Sequence, residues 1–334
     1  MTTTRLRGPH AGPWGPIPVA AFLALLSGLV GIGLPFVITA PTAMTLMTQG
    51  TINAILATSV GYLIRQSGFV SFGQASFFGL GAYVTALLIK SAALPFAVAV
   101  LLGVLLPTLF GFLISLVIVR VSGVAFSMLT LAVAQVFYEI VVKWRELAGG
   151  DDGLSVTLPA TFIGIPSSVF QTPTTMFAIC WITLTLILFL MYCLSRSRFG
   201  MLCSAIRDNE ERARFIGYGT LLPRAVIFAI SSASGAIGGV LFCLYNGFVS
   251  PDILHWTMSG AALVMAIVGG AEFVVGPALG ALVYLGVKDA LGNITEHWQA
   301  IVGIALIIVT VGWPTGIAGL FNTLWKRVRA ARPA

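Results

Sequence analysis

Leu94-Pro-Phe-Ala-Val-Ala-Val-Leu-Leu-Gly-Val-Leu-Leu-Pro-Thr-Leu-Phe-Gly-Phe-Leu-Ile-Ser-Leu-Val-Ile-Val119 runs from turn to turn without one charged side chain. A bilayer's hydrocarbon core is about 30 Å thick, and a helix rising about 1.5 Å per residue crosses it in about 20 residues. The stretch is long enough to do that. It lacks the roughly 10-residue alternating segments of an outer-membrane barrel. The rest of the chain agrees. Of 334 residues, 58% are hydrophobic and 9% are charged, with a mean hydropathy of +1.00, against about 25% charged in soluble domains. The reading is an all-α polytopic membrane helix bundle, a single transmembrane domain over 1–334.

Apolar runs bounded by charge and turn signals predict spans near 17–39, 42–64, 69–89, 94–119, 124–142, 174–195 and 224–246. Short segments near 258–271 and 274–287 and a last span near 298–320 bring the total to about 10. Arg5 and Arg7 precede the first run without a small-residue cleavage site, so the first helix is expected to be retained. Placing the N-terminus inside puts Arg5, Arg7, Arg65, Arg120, the arginines of 196–224 and Lys326, Arg327, Arg329 and Arg332 of the 321–334 tail on the cytoplasmic side. That is 14 of 18 basic residues, so the net charge of +7 reports topology and not nucleic acid. Lys90, Lys143, Arg145 and Lys288 fall outside, with the polar 143–173 loop. Both termini are then cytoplasmic.

The same bias argues against merging 258–287 into one helix, which would throw the basic tail outside. Two segments of about 14 residues, each about 21 Å as a helix, fall short of the core. Gly269, Gly270, Gly276 and Pro277 surround their junction. Interrupted segments of this kind point to a translocation site, because freed backbone groups need protein or water to receive them. A glycine-packed pair of tilted helices, or a re-entrant hairpin, fits the pattern as well. Glu272 is accordingly either a cytoplasmic turn residue or a hairpin tip. Gly68 to Tyr83 is a second small-residue segment, and its Ala75-Ser-Phe77 faintly echoes Ala271-Glu-Phe273.

Chemistry is sparse. There is no Gly-x4-Gly-Lys-Ser/Thr loop to wrap phosphates, so the chain is expected not to hydrolyse ATP. His10, His255 and His297 do not cluster for a metal. Cys180, Cys193, Cys203 and Cys243 have no ligand spacing and read as packing residues. No nucleophile, base and orienting group recur together, so no catalytic site is expected. Polar side chains within apolar runs are Asn53, Gln74, Gln135, Tyr138 and Glu139. They line a path or make hydrogen bonds between helices. Candidate path residues are Gln74, Gln135, Glu139, Gly269 and Gly270.

The exception to this apolar character is Arg196-Ser-Arg-Phe-Gly-Met-Leu-Cys-Ser-Ala-Ile-Arg-Asp-Asn-Glu-Glu-Arg-Ala-Arg-Phe-Ile-Gly-Tyr-Gly-Thr-Leu-Leu-Pro-Arg224. Gly200–Ile216 is expected to form one helix, with i,i+4 pairs Arg207/Glu211, Asp208/Arg212 and Glu210/Arg214, stopped by Gly217 and Gly219. Either the arginines merely fix topology, or the loop docks a cytosolic partner. Exposed pairs contribute a few tenths of a kcal/mol each, too little to hold so short a helix alone, which favours docking.

Glu211-x-Ala213-x-x-x-Gly217 resembles the Glu-Ala-Ala-x-x-x-Gly loop of ABC-importer permeases, with Arg212 at the second alanine position. More specifically, Gly68 to Tyr83, Gly149-Gly-Asp-Asp-Gly-Leu154, Ala205-Ile-Arg-Asp-Asn-Glu210, Tyr245-Asn-Gly-Phe-Val-Ser-Pro-Asp252, Val268-Gly-Gly270, Gly276-Pro-Ala-Leu-Gly280 and Thr295-Glu-His-Trp298 resemble permeases of the branched-chain amino-acid importer family, of the type that pairs with a second, shorter permease. Gln74 stands where that family usually has His. The resemblance implies a bacterial inner-membrane importer of two permeases, two cytosolic ATPases that hold ATP and Mg, and a periplasmic binding protein, with no cofactor in this chain. It implies a coupling helix whose contacts include Arg207, Asp208, Glu210, Glu211, Arg212, Ala213 and Gly217, with the binding protein received at 143–173 and 248–257. The cargo implied is a branched-chain or related amino acid. Urea, short amides or aromatic acids are the alternatives within the class, and a stand-alone secondary transporter is the alternative outside it.

Overall fold

The computed structural model describes residues 17–292, except 39, 92–93, 159–160, 163–164, 167–169 and 171, together with a few positions between 300 and 320. The Arg5/Arg7 leader, the Thr295-Glu-His-Trp298 motif, most of the last expected span and the 321–334 tail lie outside the described residues. Five long helices come first: α1 (Ile17–Val37), α2 (Pro41–Ser67), α3 (Gln74–Lys90), α4 (Phe96–Ile118) and α5 (Val124–Lys143). A loop follows with the two-residue strands β1 (Leu154–Ser155), β2 (Thr161–Phe162) and β3 (Ile165–Pro166). Then come α6 (Pro173–Arg196), the short α7 (Arg198–Asp208) and α8 (Glu210–Phe215), α9 (Leu221–Asn246), β4 (Phe248–Val249), α10 (Trp256–Gly269) and α11 (Gly276–Gly292).

Among the described residues, five helices are long and apolar enough to cross a membrane by length and composition: α1, α4, α5, α6 and α9. α2 is not among them although it has 27 residues. It is the central helix, packed by α6, α9, α10 and α11, and most of its length is buried, including Thr48, Thr51, Thr58, Ser59 and Gln66. A helix that faces other helices needs small and hydrogen-bonding residues more than it needs apolar bulk. Its Thr48, Thr51, Thr58 and Ser67 hydroxyls bond back to carbonyls one turn earlier, which satisfies them without water.

α4 has two stripes at four-residue spacing. Leu101, Leu105, Leu109, Leu113 and Val117 are all at least half exposed, while Ala99, Gly103, Pro107, Gly111 and Ser115 are buried. Side chains i and i+4 share a helix face, so the bulky stripe meets lipid and the small stripe packs on α3 and α9. The fit is close. A Cβ on Gly103 would overlap the Thr85 hydroxyl, and one on Gly111 would press on Ser232. α9 uses the same device against α3, where a Cβ on Gly239 would overlap the Phe78 carbonyl. With no hydrophobic drive between helices in lipid, dispersion from such close approach holds the bundle together.

Two expectations change, and the two-segment reading of 258–287 stands. The third span was expected from 69, but its helix begins at Gln74. Gly68, at φ 72°, ends α2 in the left-handed region, and 69–73 is non-helical, with the Gly73 N–H donating to Ser71 Oγ at 3.1 Å. Gly200–Ile216 is two helices and not one. The segment 258–287 is two short helices, α10 and α11, packed on each other and on α2. Their junction lies beside Thr58, Tyr62 and Arg65 of α2, at the charged-loop end, with Glu272 exposed in the turn. At the opposite end, β1 pairs antiparallel with β4, Leu154 opposite Val249. That pairing joins the 143–173 and 248–257 segments on one surface.

Candidate functional site

The charged loop is built by two caps. Ser197 Oγ accepts the Gly200 N–H at 3.2 Å and starts α7. Asn209, extended at φ −159°, ends α7, and its Oδ1 accepts the Arg212 N–H at 2.9 Å to start α8. Each such cap contributes about 1 kcal/mol. Asn favours this local bond over a helix interior, which is why the single expected helix breaks there. The break changes the pairing. Of the three expected pairs only Glu210–Arg214 forms, at 2.6 Å. Arg207 turns instead to Asp208, at 2.9 Å, and its Nη1 donates to the Arg65 carbonyl at the end of α2. Glu211 and Arg212 point to solvent, while Ala213 is buried.

Glu210 is the centre of the loop. One carboxylate oxygen accepts from Arg214 and, at 3.0 Å, from Thr220 Oγ1; the other pairs with Arg224 Nη1 at 2.7 Å. Burial alone would raise its pKa. The hydrogen bonds from Arg224 and Thr220, with the charges of Arg224 and Arg214, outweigh that and hold the carboxyl below its ordinary range. Cys203, on the buried side of α7, has its thiol pushed up to about 11, mainly by burial, which suits a packing residue and not a reactive one.

Gly217, at φ 93°, turns the chain after α8, and the Tyr218 N–H returns to the Ala213 carbonyl at 3.0 Å. The turn throws apolar side chains outward: Phe215 is 90% exposed, Ile216 69% and Tyr218 54%. They sit among Arg212, Arg214 and Glu211 on the surface. Sequence reasoning missed this patch, although an apolar pair immediately before a glycine in a charged loop was its visible signal.

A second polar site lies at mid-depth. Gly235, whose Cβ position is 3.6 Å from the Gln74 carbonyl, is about 21 Å along α9 from the charged-loop end. α3 therefore begins halfway through the bundle. The Ala75 N–H donates to Ser259 Oγ at 2.9 Å, so α10 begins beside it. Both amide atoms of Gln74, which is fully buried, and the Ser76 hydroxyl meet no hydrogen-bond partner among the described residues. Such orphaned groups cost about 1–3 kcal/mol each unless something polar reaches them.

Gln135 and Glu139 lie elsewhere, on the outer face of α5. Gln135 Nε2 donates to Glu139 Oε1 at 3.2 Å, and Glu139 pairs with Lys143 at 3.4 Å. With Leu131, Val136, Ile140 and Trp144 they line an open groove of about 980 Å³. Asn53 bonds to the Gln49 carbonyl one turn earlier, at 2.8 Å. Tyr138 packs edge-on against His255, with centroids 5.1 Å apart. Gly269 and Gly270 sit in close backbone packing, where a Cβ on Gly269 would overlap the Gly276 carbonyl. Among the described residues no group of His, Cys, Asp or Glu is arranged to hold a metal.

A family model described as "Branched-chain amino acid transport system / permease component" matches residues 42–311. The high-affinity branched-chain amino acid transport system permease protein LivM of Salmonella typhimurium is 23% identical over 315 residues, covering 88% of this chain and 73% of that one. The corresponding LivH protein is 27% identical over 298 residues, covering 82% and 93%. The galactose/methyl galactoside import permease protein MglC of Escherichia coli is 25% identical over 295 residues, covering 80% and 84%. No solved structure matches the chain.

Proposed function

Because this chain belongs to the branched-chain amino acid transport system permease family, we propose that it is the transmembrane permease subunit of an ATP-driven importer of branched-chain or related amino acids. Its 196–224 loop docks cytosolic ATPases, which bind the ATP and Mg; the chain itself supplies no catalytic group or cofactor. The observation that carries this is the water-facing patch of Phe215, Ile216 and Tyr218 on a loop ringed by charge. An exposed apolar cluster with a charged rim is the surface of a docking site. The loop lies on the cytoplasmic face of the bacterial inner membrane, as the distribution of arginines favours, and both termini share that side.

The transport path is assigned to the outer face of α5 and the mid-depth polar junction. Gln135 and half-exposed Glu139 stand on a helix whose other exposed residues, apart from Lys143 at its end, are apolar. Polar and ionisable side chains on a membrane helix face a bundle interior or a watered cavity far more often than lipid. A second permease packed over this face would replace lipid with a watered path, and Gln74 would meet the cargo where α3 and α10 begin. The joined β1–β4 surface at the other end is suited to a periplasmic binding protein. The galactoside permease among the relatives supports a scaffold shared by different cargoes. A different small polar cargo is therefore the second reading, with selection made first by the binding protein.

The test is uptake of labelled leucine, urea and phenylalanine into proteoliposomes holding the permease pair, with ATPases inside and binding protein outside. Uptake of leucine that requires both ATP and the binding protein is expected. Uptake persisting without the ATPases would overturn the importer reading in favour of a secondary transporter.

A further inference from the structure

The break between α2 and α3, residues 68–73, is held from two sides. On the loop side, Arg207 lies over Gly68, with its Cγ 3.1 Å from where a Cβ would be, and donates to the Arg65 carbonyl. Arg224, in the first turns of α9, is 9% exposed, and its guanidinium carbon stands 5.0 Å from the Phe69 ring centroid. That guanidinium uses Nη1 for Glu210, while its buried Nε has no hydrogen-bond partner among the described residues. Its remaining stabilisation comes from the ring face. On the bundle side, Ser127 Oγ donates to the Val70 carbonyl at 2.7 Å, and the Phe72 N–H donates to Thr130 Oγ1 at 3.1 Å. Phe69 also stacks on Phe126, with centroids 4.3 Å apart and planes 19° apart. Ser127, Thr130 and Phe126 all belong to α5, the helix that carries Gln135 and Glu139.

We propose that Arg224 and Phe69 are positioning residues for transport, joining the ATPase-facing loop to α5 through the 68–73 break. One carboxylate, Glu210, fixes α8 to Arg224. Arg224 sits on Phe69, Phe69 sits on α5, and the far end of the break leads into Gln74. A displacement of α8 therefore cannot leave α5 and the start of α3 in place without separating a largely buried ion pair from its ring. Leaving a buried charge unpaired is costly, so these parts move together. Within the loop and α5 the ion pairs Arg207–Asp208, Glu210–Arg214 and Glu139–Lys143 each stay on their own side, whereas Glu210–Arg224 ties α8 to α9.

This inference rests on the loop being the ATPase dock, and the experiment separates the two. The complete importer in nanodiscs is prepared with the parent chain and with Arg224→Lys, Phe69→Leu, both together, and Phe69→Tyr. Co-purified ATPase is measured beside cargo transported per ATP hydrolysed in matched proteoliposomes. Arg224→Lys and Phe69→Leu should keep the ATPases at the parent ratio yet lower transport per ATP about tenfold, a typical coupling between sites. The double variant should be no worse than either single one, because both break the same link. Phe69→Tyr, which keeps the ring face, should restore coupling. Parent-like transport per ATP in both single variants, losses that multiply in the double variant, or failure of Phe69→Tyr to restore coupling would overturn the proposal while leaving the dock intact. Absence of ATPase from the parent complex would instead overturn the docking reading itself.

Discussion

Phe215→Ala is the most direct probe of the loop. The side chain is 90% exposed, so truncating it removes almost nothing from the folded chain, and the effect on stability should stay within about 0.5 kcal/mol. Full burial of a Phe side chain against a partner contributes about 1.5–3 kcal/mol. Losing most of that on truncation should weaken ATPase binding by about 2 kcal/mol, about thirtyfold in Kd. Phe215→Leu keeps much of the apolar area and should lose only about three- to fivefold. The assay is surface plasmon resonance of ATPase subunits over the permease pair held in nanodiscs, with thermal melts run alongside. Phe22→Ala is the control: it is also exposed, at 65%, but lies on the first membrane helix and should change neither reading. A Kd within threefold of the parent for Phe215→Ala, in a chain that melts normally, would refute the claim that this patch enters a partner.

Gly239→Leu drives a side chain into the Phe78 carbonyl. Overpacking against backbone costs about 1–3 kcal/mol or more, so the melting midpoint in detergent should drop clearly; an unchanged midpoint would contradict the close α3–α9 packing. Gly217→Asp places a non-glycine residue at φ 93°, straining the turn by about 1–3 kcal/mol, and adds a negative charge beside the exposed patch. The permease should remain in the membrane while uptake fails, and normal uptake would remove the turn from the docking argument. Glu210 has a folded pKa held below its ordinary value of 4.5. Its stabilisation is therefore present above that value and is lost as pH falls through the lower folded value. Glu210→Gln should melt earlier at pH 7 and show a weaker acid dependence than the parent, and identical pH profiles would count against the pair with Arg224.

The membrane bundle was legible because lipid imposes a composition: an uncharged run such as 94–119 has few alternatives, and the helix Phe96–Ile118 fills nearly all of it. The loop was less legible, because Asn209 can sit in a helix or cap one, and only the local geometry decides. One cap choice then undid two of the three expected ion pairs. The 68–73 break was hidden for a related reason. Its residues, Gly68-Phe-Val-Ser-Phe-Gly73, are uncharged and mostly apolar, so by composition they continue a span, and the break becomes visible only from Gly68 in the left-handed region and from the α5 hydroxyls that meet the freed backbone. Arg224 was visible as a charge but not as a buried one. Its four-residue distance from Thr220 carries no sign that both would converge on Glu210.

These two kinds of join divide the molecule by mechanics. Where α3, α4 and α9 meet, glycines such as Gly81, Gly103 and Gly239 bring helices into close contact, and such contacts resist sliding because any shift overlaps atoms at once. At the charged-loop end, the joins are a carboxylate, two guanidiniums and a ring, which can change partners without overlap and whose strength depends on water and charge. A protein that must convert the closure of an outside partner into motion of a membrane path needs both: a stiff body to move and a junction that rearranges. The 68–73 break lies between them, fixed to α5 and to the loop, with residues 69–73 outside both helices. It is the one place near the loop where α2 and α3 can change their relation without breaking either helix, and it leads directly to Gln74, whose amide has no hydrogen-bond partner among the described residues.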